Sequence, residues 1–357
     1  MPHKVFLMAG GGTGGHVIPA LAVARELKRR GHEVFFAGTE RGVEGRMVPA
    51  AGFPLELIRI GALKRVGVVQ RLATVGQLPL STLAMLASMR RRRTSAVFSM
   101  GGYVAGPPVI AAITARMPLV IMEPNAVPGF TNRRIRRLVT RALLSFPETS
   151  QYFPPGRTEV TGLPVREEFF QLPPKEAGAE FTILITGGSQ GSRTLNRATR
   201  ESWPLFRDAG LAVRLILQTG KNDFEQLQKE FSASGLPGEV RPFIDDMPAA
   251  FAAADLIVCR AGAGAVAELA AAGKPSVLVP FPFAADDHQL GNAQALERTG
   301  AARLVLDREC TGKKLYETVA ALAADQEVLR RMAEAVRRFA HPYAARRAAE
   351  ILEEVAR

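Results

Sequence analysis

The sequence predicts an α/β protein made of two similar parallel-sheet domains in tandem, and three observations predict it. Short apolar runs alternate with helical stretches from end to end, the rhythm that builds parallel sheets wrapped by helices. A strand-like run leading into a glycine-rich turn and a helix occurs twice, starting at 5 and at 182, about 177 residues apart. The length of 357 residues matches two domains of roughly 100–200 residues each. Hydrophobic residues make up 47% and charged residues 22%, which excludes global disorder and a collagen-like chain. Only Cys259 and Cys310 occur. A disulfide scaffold and a cysteine-rich zinc site are thereby excluded, and a reducing compartment fits.

Taken in order, strands are expected at 5–9, 34–37, 55–60, 96–100, 119–122 and 142–145, then at 182–186, 212–218, 256–259, 276–279 and 303–306. A helix is expected over 19–30, with proline in its first turn and Gly31 beyond its end. Another is expected over 263–272, stopped by Gly273. The stiff connector Phe153-Pro154-Pro155-Gly156 precedes a boundary near Gly162-Leu163-Pro164. The domains are thus 1–162 and 163–340. The final helix, 341–357, can belong to either and is grouped with the first.

The formal charge of +12 is unevenly placed. Residues 1–162 hold 22 Lys and Arg against 8 Glu and no Asp, a net of +14, whereas residues 163–357 hold 24 against 26, a net of −2. The first half therefore faces something anionic: nucleic acid, a phospholipid surface or a phosphorylated substrate. Its basic clusters are 90–93 and Arg133, Arg134, Arg136, Arg137 and Arg141. No aromatic residue interleaves 90–93, so nucleic acid is not the expected partner. The uncharged runs 72–89 and 94–115 are broken by glycine, proline and polar residues, and neither is expected to span a membrane. The apolar run after Lys4 is too short for a signal peptide, which points to the cytoplasm.

Three glycine-rich turns carry candidate chemistry. Residues 10–16 let backbone N–H groups approach an anion at a helix N-terminus. Gly10, Gly12 and Gly15 satisfy G-x-G-x-x-G, but the acid a dinucleotide site needs is misplaced: Glu33 precedes the second strand and Glu40 follows it. A P-loop's Lys-Ser/Thr ending is also lacking. His16 enters the first helix beyond the strand end, where open α/β sheets bind ligands. The second turn, 187–192, offers Ser189 and Gln190. The third, 260–268, places free amides at 263–265 for a diphosphate and Glu268 one turn further in, within reach of a sugar hydroxyl. Asp286-Asp287-His288-Gln289 fits no standard zinc spacing, and there is no Asp-x-Asp in the chain. No metal is expected, and this cluster is expected to contact a sugar.

These motifs together resemble the MurG family of peptidoglycan GlcNAc transferases. GGTGGHVIP (11–19), MGGYVAGP (100–107), EPNAVPGFTN (123–132), GGSQGS (187–192), FIDDM (243–247), 260–268 and 286–293 match in order through nearly the whole chain. The resemblance implies a GT-B architecture, two Rossmann-like domains with the active site in the cleft between them. It implies transfer of GlcNAc from UDP-GlcNAc to the C4 hydroxyl of MurNAc in lipid I (undecaprenyl-pyrophosphoryl-MurNAc-pentapeptide), with inversion and without a cofactor, at the cytoplasmic face of the membrane. On the donor side it implies Ile244 backbone at uracil, Glu268 at ribose, and Ala263, Gly264 and Ala265 amides at the diphosphate with Ser189 and Arg166 nearby. Gln289 would hold the GlcNAc hydroxyls, and Thr13, Gly14, Gly15 and Asn125 would reach the donor from the first domain. Thr13, His16, Tyr103, Asn125 and Glu123 would line the acceptor side. His16 is the expected base, since an imidazole near a pKa of about 6.5 accepts a proton at neutral pH. Glu123 is the alternative base or the group that orients it. The chain departs from the family at Leu163, Pro124, Ala261 and Ala265, where asparagine, glutamine, serine and threonine are usual. Two other readings stay open: another UDP-GlcNAc enzyme such as a 2-epimerase, and a non-catalytic basic protein that binds lipid or nucleic acid. An anionic phospholipid surface is an expected partner, met by Leu72, Val75, Leu78, Leu83 and Leu86 beside 90–93.

Overall fold

The computed structural model describes residues 3–61, 68–173, 175 and 180–357, with the backbone alone over 68–75. The chain forms two compact units, Met1–Val165 with Tyr343–Arg357, and Arg166–Pro342.

In the first unit the strands are β1 (Val5–Gly10), β2 (Glu33–Gly38), β3 (Leu55–Leu57), β4 (Ala96–Gly101), β5 (Leu119–Glu123), β6 (Arg141–Leu144) and β7 (Thr158–Val160). They make one sheet in the order β3-β2-β1-β4-β5-β6-β7, every neighbouring pair parallel. Helices α1 (Gly14–Arg29), α2 (Val43–Ala50), α3 (Val68–Arg91), α4 (Gly106–Thr114) and α5 (Phe130–Ile135) connect them. β1, β4 and β5 are buried along their whole length, as central strands covered on both faces must be.

The second unit repeats the plan. β8 (Phe181–Thr186), β9 (Val213–Gln218), β10 (Gly238–Arg241), β11 (Leu256–Cys259), β12 (Ser276–Leu278) and β13 (Arg303–Leu304) pair in the order β10-β9-β8-β11-β12-β13. Its helices are α6 (Arg193–Asp208), α7 (Phe224–Ser234), α8 (Met247–Ala253), α9 (Ala263–Ala272), α10 (His288–Arg298), α11 (Gly312–Ala323) and α12 (Gln326–Arg337). In both sheets the strand order reverses beside the first strand. The crevice at that reversal is where such sheets take ligands, and the glycine-rich turns at 10–16 and 187–192 each open onto it.

Three differences from the sequence expectation have physical causes. α1 starts at Gly14, five residues before the expected Pro19. Pro19 removes only the bond to the carbonyl of Gly15, a residue at the exposed helix start where water can serve it. β3 ends at Leu57, and β7 and β10 appear where no strand was expected. All three are sheet-edge strands of three or four residues with mixed polarity, too short for an alternation to register.

The last helix, α13 (Ala344–Val355), packs on α1. Glu353 accepts from Arg30 Nε (2.9 Å) and Nη2 (2.6 Å) and pairs with His32 Nε2 (2.7 Å). Lys4 Nζ donates to the Glu353 and Ala356 carbonyls, a cation on the open end of a helix. The Arg30 hydrogen bonds outweigh burial and hold the Glu353 carboxyl below its usual range. Its stabilisation is therefore present above the ordinary carboxylate pKa and lost as pH falls through the depressed value. Glu353→Ala leaves two partners without their carboxylate. It is expected to cost about 3 kcal/mol and to release hydrogen-exchange protection over 344–355; unchanged protection would contradict this.

Candidate active site

In the first unit the loops after β1, β4 and β5 converge. A Cβ at Gly12 would lie 2.9 Å from Tyr103 Cε1, and one at Gly102 would lie 3.3 Å from the His16 ring. Tyr103 thus rests on the glycine loop, and the imidazole rests on the Gly101-Gly102 turn. Both glycines of that turn have positive φ (79° and 80°), a backbone open to glycine at little cost. His16 Nδ1 lies 3.1 Å from the Gly11 carbonyl and 3.4 Å from Thr13 Oγ1. A carbonyl can only accept, so Nδ1 carries the proton and Nε2 of the neutral ring is the basic atom. Nε2 makes no hydrogen bond to any described residue. Burial lowers the His16 pKa, opposed by the Gly11 bond and by the charge of Glu44, so the ring is neutral and ready to accept a proton at pH 7.

Two carboxylates hold these loops. Glu44, in α2, is fully buried. Its Oε2 accepts from Gly12 N–H (2.9 Å), and Oε1 accepts from Thr39 N–H (3.0 Å) and Oγ1 (2.7 Å). Burial alone would raise its pKa, but these bonds outweigh it and hold the carboxyl low. The sequence reading missed Glu44; its signal was an acid among Gly38, Gly42 and Gly45. Of the backbone N–H groups in the 10–16 turn, that of Gly12 serves Glu44.

Glu123, 1% exposed at the end of β5, accepts from Asn125 N–H and Nδ2, Gly129 N–H and Asn132 Nδ2 at 2.9–3.1 Å. Burial pushes its carboxyl up, against those four bonds. With both oxygens engaged, the carboxylate anchors the 125–132 loop and so fixes half-buried Asn125. Thr13, the exposed residue preceding α1, and Gly14 and Gly15 in its first turn lie beside His16.

In the second unit α9 begins directly after the loop at Arg260–Gly262. Its first-turn amides at Ala263, Gly264 and Ala265 are inherently without helical partners, and Gly262 supplies no side-chain cap. Half-buried Glu268 follows one turn on. Burial pushes its carboxyl up to about 7, against the pull of the exposed Arg166 guanidinium. Ala261 is fully buried, so a serine hydroxyl there would face the interior. Ser189 is exposed at the tip of the 187–192 loop.

Ile244 is 4% exposed and its N–H donates to Gln218 Oε1 at 2.9 Å. Of its backbone groups this leaves the carbonyl for a base. The same Gln218, unforeseen from sequence, donates to Thr186 Oγ1 (3.2 Å) and the Gly188 carbonyl (2.8 Å), tying the 187–192 loop to Ile244. Arg260 was likewise missed as a hub. It donates to Ser192 Oγ (2.7 Å), the Val279 and Pro280 carbonyls and Asp307, joining the loops after four strands. Beside it a cavity of about 550 Å³ is lined by Gly187, Gln190, Ser192, Arg260, Phe281 and Gln289. It takes in Gln289, whose Oε1 accepts from Phe281 N–H (2.9 Å). Glu268 and Ile244 are not on its wall. Among the described residues no three His, Cys, Asp or Glu side chains gather in metal-holding geometry.

Comparison with known proteins places these sites in context. Family models for the glycosyltransferase family 28 N-terminal and C-terminal domains match residues 6–144 and 182–351. A curated relative from Solibacter usitatus (strain Ellin6076) is 66% identical over 352 residues, covering 99% of this chain and 96% of its own. It is named UDP-N-acetylglucosamine–N-acetylmuramyl-(pentapeptide) pyrophosphoryl-undecaprenol N-acetylglucosamine transferase. A relative of the same name from Anaeromyxobacter sp. (strain Fw109-5) is 42% identical, covering 98% and 93%. Among solved structures, Acinetobacter baumannii MurG superimposes with a TM-score of 0.83 at 33% identity, covering 98% of this chain and 99% of that one. A putative UDP-N-acetylglucosamine 2-epimerase from Listeria monocytogenes, at 12% identity and a TM-score of 0.69, shares the fold alone.

Proposed function

The chain belongs to the MurG family, within glycosyltransferase family 28 and with its GT-B pair of Rossmann-like domains, and on that premise we propose that it moves GlcNAc from UDP-GlcNAc to the C4 hydroxyl of MurNAc in lipid I, giving lipid II and UDP. The observation that carries the chemistry is His16: Nδ1–H is held by Gly11 O, and Nε2 is open on a neutral ring. The acceptor O4–H gives its proton to Nε2 as O4 bonds to the anomeric carbon from the face opposite the departing diphosphate. The bond from that carbon to the β-phosphate oxygen breaks, and UDP leaves with the electron pair. The product is inverted. Amides of Ala263, Gly264 and Ala265 at the positive end of α9 receive the charge developing on UDP. Glu268 takes the ribose hydroxyls, the Ile244 carbonyl meets uracil, and Gln289 holds GlcNAc, with Ser189 and Arg166 beside the diphosphate. Thr13, Asn125 and Tyr103 position the acceptor around His16, and Gly14 and Gly15, with Thr13 and Asn125, serve the donor. Purified protein should release UDP from UDP-GlcNAc only when a soluble lipid I analogue is present. Equal release without acceptor would sink the transferase reading.

The protein works docked on the cytoplasmic leaflet, where its lipid acceptor is anchored, through the first unit. No helix among the described residues is long and apolar enough to cross a membrane. On α3, Leu80 and Leu83 are 72% and 62% exposed. Leu86, by contrast, is buried with Met85 and Met89, so it belongs to the core rather than the docking face; the side chains of Leu72 and Val75 lie outside those described. Arg92 is bonded to Glu56 (2.7 Å) and Glu33 (3.2 Å) and Arg91 pairs with Glu56 (3.5 Å), which leaves Arg90 and Arg93 as the cations of that run. A basic rim beside exposed leucines suits interfacial binding, with about 1 kcal/mol for each cation near an anionic surface. Leu80→Ser with Leu83→Ser should reduce flotation with anionic vesicles, as should Arg90→Gln with Arg93→Gln. Undiminished flotation of both variants would move docking elsewhere.

A further inference from the structure

We propose that Glu44, through the peptide unit joining Gly11 and Gly12, is the positioning residue for the His16 base, so that carboxylate, peptide and imidazole act as one relay. The two hydrogen bonds that define it belong to one amide. Gly12 N–H donates to Glu44 Oε2 at 2.9 Å, and the carbonyl of the same amide, on Gly11, accepts from His16 Nδ1 at 3.1 Å. A carboxylate at the N–H end of a peptide draws its dipole into line and increases the negative charge on the oxygen. Chained hydrogen bonds strengthen one another in this way. The Gly11 oxygen therefore holds Nδ1–H more firmly, and it steadies the positive ring that forms once Nε2 has taken a proton. In the Ser-His-Asp arrangement a carboxylate does this by direct contact; here a rigid planar group stands between them.

The surroundings fix the relay. A Cβ at Gly11 would fall 2.6 Å from Glu44 Cδ, one at Gly38 2.5 Å from Cγ, and one at Gly42 2.2 Å from Oε1. Three glycines thus make the room for a carboxylate with no exposed surface. Thr39 N–H and Oγ1 occupy Oε1 and leave Oε2 for the peptide. A buried carboxylate this well bonded stays charged, and its charge acts on His16. The other titratable group beside the glycine loop is the Tyr103 phenol, from the loop after β4.

The relay affects turnover because His16 takes the acceptor proton, and so it rests on the function proposed above. Its test does not. In the full chain labelled with ¹⁵N-histidine, with the His16 signal assigned by His16→Gln, the wild-type ring should be the Nδ1–H tautomer at neutral pH. An Nε2–H tautomer would overturn the relay without any Glu44 variant being made. In Glu44→Gln the His16 pKa should fall by about half a unit or more. The plateau kcat should drop about three- to tenfold, the acid limb of the rate profile should move to lower pH, and UDP affinity should stay unchanged. A Glu44→Gln protein with normal UDP affinity and thermal unfolding, yet an unmoved His16 titration and acid limb, would reduce Glu44 to a packing residue. Glu44→Asp, which keeps the charge, should restore part of the pKa. Should His16→Gln retain turnover, the base role is lost, while the titration shift in Glu44→Gln would still establish the relay.

Discussion

His16→Ala is expected to lower turnover with UDP-GlcNAc and a soluble lipid I analogue by about 10²–10⁴-fold, the usual contribution of a general base. UDP affinity, set in the other unit, should change by less than about twofold. The loss should fall on kcat more than on KM, because the proton moves only in the transition state. The ring's own geometry supports the size of the effect. Nδ1 is held by Gly11 O and Nε2 faces no described partner, so one atom is presented for proton transfer. Since burial lowers its pKa, activity should persist at pH values below the ordinary histidine range and fall only as the ring protonates. Stopped assays across pH 5–9 check both points. A rate within about tenfold of wild type would remove the base role from His16, and Glu123→Gln would then be the variant to measure.

Glu268→Ala is expected to weaken UDP binding by about 10–150-fold, from the roughly 1.5–3 kcal/mol of hydrogen bonds to a charged group. Calorimetric titration measures it, and wild-type affinity would take Glu268 out of the nucleotide site. A second consequence follows from burial. Burial pushes the Glu268 carboxyl up to about 7, whereas ribose hydroxyls donate best to a carboxylate. Nucleotide binding should therefore lower that pKa and release a proton. Affinity should be full above about pH 7 and fall as pH drops below it, by at most tenfold per unit. In Glu268→Gln that slope should vanish.

Much of the fold was legible because both sheets are parallel and covered. Central strands such as β1, β4 and β8 read as largely apolar runs, and the glycine turns after β1 and β8 marked the duplication. The edge strands β7 and β10 were not legible, since three or four half-exposed residues carry no period. Residues such as His16, Glu268 and Gln289 stood out because they sit in sequence beside the turns they serve. Glu44, Gln218 and Arg260 work across the fold instead. Glu44 reaches a loop 32 residues away in sequence, and Arg260 reaches Asp307, 47 residues on. Such bonds exist only after the sheet has brought its strand ends together. Glu123 shows the converse: it stands beside a motif that invites a catalytic role, yet its oxygens are engaged by the loop it anchors. Leu86 likewise belongs to an apolar run whose helical period, not its composition, decides which side faces the core.

The most direct measurement is the fate of a labelled sugar. Purified protein is mixed with UDP-GlcNAc labelled in the GlcNAc ring and a soluble lipid I analogue, and the products are analysed by mass spectrometry and NMR. Equal amounts of UDP and of a labelled disaccharide product are expected, with the new bond β-configured at the C4 oxygen of MurNAc. Label recovered as free sugar, as an epimerised nucleotide sugar or in an α-linked product would contradict an inverting transfer driven by His16.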